Sequence, residues 1–257
     1  MRRLFYSTIL TFIVPLLGCS SGTIDGVHAT SKALVVRDME YGQLCIVTKN
    51  GVKRIPHSGP GVMSVAPMTQ DSQWLVINKS VLAPHWIPFT PKDPRTTRLL
   101  LPAIDSEFTF FDLATNSQGR IPHNFDSDDY QIYGGAVFEN RFWVEQSARV
   151  RDSAKPIPNR YHCYDFAKRT WTETDLRHWE EAKTAANSWV DATGLSQGKV
   201  VEVPNWGTLR TTGGENNRQT YLRQNNGTEI CLFNQNDLRL NPATQNAIRS
   251  ASGPIYP

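Results

Sequence analysis

With 257 residues, 39% of them hydrophobic and 20% charged, the chain has length for one domain with a sizeable core, or at most two small ones. Its formal net charge of +3 falls to +1 without Arg2 and Arg3, and the other basic residues are scattered, as at Arg149, Arg151, Lys155 and Arg160. That pattern excludes the concentrated basic face of a nucleic-acid binder, so no nucleic-acid partner is expected.

In chain order, the first element is a leader. Arg2 and Arg3 precede an apolar stretch from Leu4 to Leu17, which is followed by Gly18, Cys19, Ser20 and Ser21. A basic start, a short apolar core and a small residue before a cut site read as a secretory signal over 1–18. The stretch falls short of the roughly 20 residues a spanning helix needs, and Pro15 interrupts it. Residues 19–31 are small and polar and read as a flexible tether.

Strand signals then dominate. Short runs rich in Val, Ile, Phe, Tyr and Trp occur at Ala33–Arg37, Gln43–Thr48, Trp74–Asn78, Phe108–Leu113, Ala136–Phe138, Arg141–Glu145, Tyr161–Phe166, Lys199–Val203, Gln219–Arg223 and Thr228–Phe233. Turn residues separate them, including Glu139-Asn140, and Asn226-Gly227 predicts a tight hairpin. One helix is expected over Asp175–Asn187, with Asp175 as its cap and Leu176, Trp179, Lys183 and Ala186 on one face. The expected domain spans 32–241, and a polar tail over 242–257 is expected to be loosely ordered.

Two repeats stand out. Val52 to His57 echoes Gln118 to His123, and Phe111-Asp112-Leu113-Ala114 echoes Tyr164-Asp165-Phe166-Ala167. In the second pair an aromatic residue suits a core strand, and the Asp side chain suits the turn that follows.

Leu16-Leu17-Gly18-Cys19 resembles the lipobox of bacterial lipoproteins. That resemblance implies cleavage between Gly18 and Cys19, with acyl chains such as palmitate on Cys19 as lipid attachment. Each buried methylene contributes about 0.8 kcal/mol, so two or more chains hold to a bilayer where one is marginal. Ser20 stands where an Asp would mark inner-membrane retention in enterobacteria, which implies the outer membrane, facing the periplasm. The repeat grammar resembles β-propeller blades. Gln70-Asp71-Ser72-Gln73-Trp74-Leu75 is similar to the strand entry of tricorn-type repeats and Phe111-Asp112-Leu113-Ala114-Thr115 to their strand exit. Gly134-Gly135, Tyr164-Asp165 and Trp171 are similar to a kelch blade. The resemblance implies an all-β, propeller-like set of repeat sheets with one inserted helix and room for about five blades, the alternative being a β-sandwich. An insert, Val81 to Pro102, interrupts one blade.

Motifs for chemistry are sparse. The sequence holds no Gly-x-Ser-x-Gly, His-Glu-x-x-His, phosphate loop or dinucleotide fingerprint. His28, His57, His85, His123, His162 and His178 lack metal spacing, as do Cys45, Cys163 and Cys231. These cysteines read as buried small hydrophobes, with one disulfide among them left open. Asp126 to Asp129 lacks the glycine and distal Glu of a calcium loop and reads as solvated. Trp86, Trp143, Trp171, Trp179, Trp189 and Trp206 read as core residues first and as a sugar platform second. Glu107, Glu145, Glu173 and Glu202 serve a glycosidase only if two of them meet in space. No catalytic residue, metal or cofactor is therefore expected. The expected function is a lipid-anchored, non-enzymatic module that binds an envelope or periplasmic protein, of scaffold or immunity type. Contact residues are expected in the Val81–Pro102 insert and the Trp179–Trp206 region. The alternative is an envelope glycan binder or hydrolase.

Overall fold

The computed structural model describes residues 24–38, 43–55, 63–82, 87–89, 98–100, 103–125, 130–148, 158–192, 195, 199–213 and 218–234. The expected leader, the expected lipid attachment and cleavage positions Gly18 and Cys19, and the expected tail lie outside them.

Eighteen strands and one helix are present among the described residues. Sheet I is a meander of β1 (Ile24–Ala29), β2 (Ala33–Asp38), β3 (Gln43–Thr48) and β4 (Gly51–Ile55). Sheet II consists of β5 (Met63–Val65), β6 (Trp74–Leu82), β9 (Ala103–Asp112) and β10 (Ser117–Ile121). A small hairpin, β7 (Ile87–Phe89) with β8 (Arg98–Leu100), is inserted between β6 and β9. Sheet III is β11 (Tyr130–Phe138), β12 (Arg141–Ala148), β13 (Arg160–Asp165) and β14 (Thr170–Thr174). The helix α1 (Leu176–Ala185) follows. Sheet IV is β15 (Val200–Val203), β16 (Gly207–Thr212), β17 (Gln219–Gln224) and β18 (Glu229–Asn234). Four antiparallel four-stranded sheets packed face on face form a propeller-like architecture, not the two layers of a sandwich.

Strand alternation sets the order of the stack. In sheet I, Ala33, Val35, Leu44 and Ile46 enter a core shared with sheets II and III, while Leu34, Val36, Cys45 and Val47 enter a second core shared with sheet IV. Every second residue thus serves a different neighbour, which is why Leu44-Cys45-Ile46-Val47 is apolar throughout. In sheet III, Val137, Phe142, Val144 and Tyr164 face the first core, and Ala136, Trp143 and Cys163 face α1. Sheet IV buries Leu209, Thr211, Thr220 and Leu222. Its opposite face carries Arg210, which is paired to Glu229 at 2.7 Å and lies 5.2 Å from the Tyr221 ring centre. The stack therefore reads IV, I, II, III, α1.

The turns follow local chemistry. Asp112 Oδ1 accepts from the Ala114 N–H at 2.9 Å, and Asp165 Oδ1 from the Ala167 and Lys168 N–H groups at 2.9 and 3.0 Å. The aromatic-Asp repeat is thus the turn between the third and fourth strands of sheets II and III. The other repeat falls on the fourth strands themselves, with Arg54 and Ile55 in β4 and Arg120 and Ile121 in β10. Glu139 and Asn140 both have positive φ, at 49° and 57°, as a two-residue hairpin requires. Gly227 turns β17 into β18 at φ 85°.

Several expectations need correction. Four blade-like four-stranded sheets, against room for about five, are present among the described residues, because chain length goes into α1, its connections and the β7–β8 insert. Strand β1 begins at Ile24, inside the segment expected to be a tether; its Val27 and Ala29 are core residues. Strands β4, β10 and β14 gave no apolar run because they are polar edge strands. In α1, Asp175 caps as expected, accepting from the His178 N–H at 3.0 Å. The buried face, however, holds Trp179, Ala182 and Ala186, while Leu176 and Lys183 are exposed. Small alanines let the helix sit close on Trp143 and Cys163, which rotates the stripe away from the larger residues. No disulfide joins the three described cysteines; burial pushes Cys45 up to about 12 and Cys163 to about 11.

Candidate functional site around Trp189

Between α1 and sheet IV the chain runs extended along the free side of β1. The Ala29 N–H donates to Ser188 O at 2.7 Å and the Val190 N–H to Val27 O at 2.9 Å. These two bonds fix Trp189 against His28, its bridge partner on β1. The indole is 53% exposed. It meets the imidazole edge to face, with ring centres 5.2 Å apart and planes at 76°.

The support beneath is polar but paired. His28 Nδ1 lies 3.1 Å from Ser188 Oγ, and that hydroxyl oxygen accepts from the Met68 N–H at 3.0 Å. Burial, followed by the nearby Arg37 charge, lowers His28 from its ordinary 6.5 to about 4, so the ring is neutral at physiological pH. Ser188 is 0% exposed and His28 6%. The pair has nucleophile and base spacing, but it sits beneath the surface, where it joins sheet I to the segment before sheet IV and to the β5–β6 connection.

Beside the indole lies Gly26. A Cβ there would stand 3.3 Å from Arg37 Cβ and Nε and 3.9 Å from Trp189. The missing side chain lets the Arg37 stem lie across β1, and its Nη1 donates to Met63 O at 2.6 Å. Next along β2, Asp38 is buried and pairs with Arg218 at 2.8 Å, tying sheet I to sheet IV. The result is a rigid patch with an exposed indole, a glycine floor and a guanidinium at its side. Such a patch offers a flat apolar face plus a fixed cation, chemistry suited to gripping a side chain of another protein.

The other sequence candidates do not converge. Trp143 and Trp179 are buried against each other's elements, Trp171 lies in the II–III interface, and the Trp206 indole N–H donates to Thr30 O at 2.7 Å. These four form no common platform; Trp86 lies outside the described residues. Glu107 pairs with Arg120 at 3.6 Å on sheet II, and Glu202 stands on sheet IV. Glu145 and Glu173 share sheet III but occupy opposite faces, since Glu145 aligns with Tyr161 and Glu173 with His162. No three metal-ligating side chains stand together among the described residues. The Asp126–Asp129 segment, His57 and His85 lie outside those residues. Trp189 was legible as one tryptophan among seven. The His28–Ser188 pair was not, because 160 positions separate its members.

No family model and no curated protein matches the chain. Among solved structures it is similar to dipeptidyl peptidase 4 from Porphyromonas gingivalis, with 9% identity and a TM-score of 0.39, over 80% of this chain and 38% of that one. It is also similar to the tricorn protease, with 13% identity and a TM-score of 0.32, over 84% of this chain and 21% of that one. The chain thus spans well under half the length of either protein. The propeller-like assignment rests on the strand registers of the four sheets.

Proposed function

We propose that this chain is a lipid-anchored protein of the outer membrane, facing the periplasm, and that it works by binding another envelope protein rather than by catalysis. The Leu16-Leu17-Gly18-Cys19 motif supports the anchor. The observation that carries the binding reading is Trp189: a large aromatic side chain, 53% exposed, held by two backbone hydrogen bonds and an edge contact to a buried His. An anchor residue fixed before binding loses little conformational freedom when a partner arrives, and tryptophan and arginine are the residues that most often dominate interface energy. Arg37 beside it supplies the fixed cation.

The test is a photo-crosslinking amino acid at the exposed Asn187, two residues before Trp189 in the extended segment, in the lipidated chain within its own cell envelope. The expected result is one stoichiometric protein adduct, weakened at least about 30-fold by Trp189→Ala, the effect of losing an interface anchor of about 2 kcal/mol. Adducts to glycan fragments with no protein among them overturn the reading in favour of a glycan-binding protein.

A further inference from the structure

We propose that Asn50 is a self-modifying site: its side-chain amide is lost to attack by the backbone nitrogen of Gly51, and the product unfastens β4 from sheets II and IV.

The chemistry is that of an asparagine followed by a glycine. The amide carbon of Asn50 can close a five-membered ring with the next backbone nitrogen, and glycine leaves that nitrogen without a side chain beside it. When the ring closes, the bond from Gly51 N to Asn50 Cγ forms and the bond from Cγ to Nδ2 breaks. The amide leaves as ammonia and carries off the proton of the Gly51 N–H. Water then opens the succinimide at either carbonyl. One opening gives aspartate. The other gives isoaspartate, in which the backbone runs through the former side chain. Water is the sole co-reactant, and nothing is oxidised or reduced.

The chain has two such pairs, Asn50-Gly51 and Asn226-Gly227. Both occupy hairpin turns, one between β3 and β4 and the other between β17 and β18. By sequence they carry the same chemistry; the fold separates them. Asn226 Oδ1 accepts from the Thr228 N–H at 2.9 Å. The turn around it is closed by the Gly227 N–H to Gln224 O at 2.9 Å and the Gln224 N–H to Thr228 O at 2.8 Å. The Asn226 amide is therefore held, and it must give up a hydrogen bond before it reaches the ring geometry. At Asn50 the backbone N–H is tied to Thr48 Oγ1 at 3.2 Å, but the side-chain amide makes no hydrogen bond to a described residue. Asn50 and Gly51 are both exposed, so water reaches the ring once it forms.

Position gives the reaction its consequence. Strand β4 is the edge of sheet I and pairs there with β3 alone, yet its side chains join sheet I to both neighbours. Lys53 donates to Gln118 Oε1 on β10 and lies 4.8 Å from the Phe111 ring centre, both in sheet II. Arg54 holds the carbonyls of Leu232 and Cys231 in sheet IV at 2.9 and 2.6 Å. The register of β4 is counted from its turn: Thr48 aligns with Gly51, Ile46 with Lys53 and Cys45 with Arg54. Isoaspartate lengthens the backbone inside that turn, and either product adds a negative charge. A turn of altered length displaces the pairs that follow it. Successive strand residues serve opposite faces, so the clasp to sheet II and the clasp to sheet IV loosen together.

The experiment ages the full chain in warm, mildly alkaline buffer, once folded and once in urea. Peptides covering the two pairs are followed by mass spectrometry, with electron-transfer fragmentation to tell isoaspartate from aspartate. In the folded chain Asn50 is expected to convert at least about 5-fold faster than Asn226, the effect of one hydrogen bond on a barrier. In urea the difference should disappear. Equal folded rates, or a faster Asn226, overturn the assignment. A difference that persists in urea overturns it as well, because neighbouring sequence and not the fold would then set the rates. Deuterium uptake over 51–55 tests the consequence. It should rise in the aged chain and stay at the fresh level in Asn50→Gln, whose longer side chain does not close the same ring. A chain converted at Asn50 that exchanges as slowly as fresh protein overturns the unfastening of β4, as does an equal rise in Asn50→Gln.

Discussion

The interface between sheets II and III and the interface between sheets I and IV solve the same packing problem with different chemistry. Between II and III, rings meet rings. Trp74 stacks on Phe166 at 4.4 Å, Phe108 meets Phe142 edge-on at 5.0 Å, and Trp171 meets Phe125 at 4.7 Å. His123, Phe125 and His162 continue the run, and the Trp171 indole N–H donates to Pro122 O at 2.7 Å. Between I and IV, the filling is Val27, Leu34, Val36, Leu209, Leu222 and Leu232. There the orientation comes from arginines instead. Arg54 donates to Leu232 O and Cys231 O at 2.9 and 2.6 Å, and Arg218 pairs with Asp38. Aromatic rings carry direction in their own faces and edges, whereas aliphatic packing has none and needs polar clasps to fix its angle.

The sharpest break is at Phe108, which is fully buried. Phe108→Ala is expected to cost about 4 kcal/mol in urea unfolding, more than Leu222→Ala at about 3 kcal/mol, because ring contacts are lost along with area. Equal costs would remove the distinction between the two interfaces.

On the other side, Arg218→Met leaves Asp38 buried without its cation and is expected to cost about 3 kcal/mol. Adding Asp38→Leu should recover most of that loss, since the clasp sets geometry more than it adds stability. A double variant no better than Arg218→Met would show that the pair itself stabilises.

A third comparison uses acid. His28 is held at about 4 against an ordinary 6.5, so the unfolded chain takes a proton that the folded chain refuses. Its contribution is fully present above pH 6.5 and is lost as pH falls toward 4, amounting to about 3 kcal/mol. Burial also lowers His162, in the aromatic interface, which adds in the same direction. Urea midpoints measured over this range should fall for the native chain and flatten for His28→Gln. An unchanged slope would remove His28 as its source.

The smallest effect separates the two aromatic-Asp turns. Burial raises the Asp112 carboxyl, but hydrogen bonds from Thr115, Ala114 and Gln73 outweigh it and leave the group below its usual range. Asp165 is lowered chiefly by the Lys168 N–H and is only partly covered. Asp112→Ala should therefore lower the melting temperature more than Asp165→Ala. The reverse order would place the stabilisation in the turn geometry alone.

The aromatic interface was also the more legible of the two in the sequence. Phe111-Asp112 and Tyr164-Asp165 repeat visibly, and the repeat proved to be one turn in two sheets. The aliphatic interface left only apolar runs, which do not say which strand they face. For the same reason Trp189 was visible as a residue but not as a patch: its floor is Gly26, its support His28 and its neighbour Arg37, all far away in the chain.

By itself, the sequence determined the elements whose signal is local: ten of the strands in outline, the Asp175-capped helix and the aspartate turns. These follow from side-chain periodicity, capping and turn chemistry within a few residues. Only the tertiary structure decided that the described residues form four four-stranded sheets, that both faces of sheet I are core, that α1 covers sheet III, and that Trp189 alone among the described tryptophans stands well out in solvent. Those depend on which apolar face meets which, a choice made by the packing of strands far apart in the chain, which no short window of sequence contains.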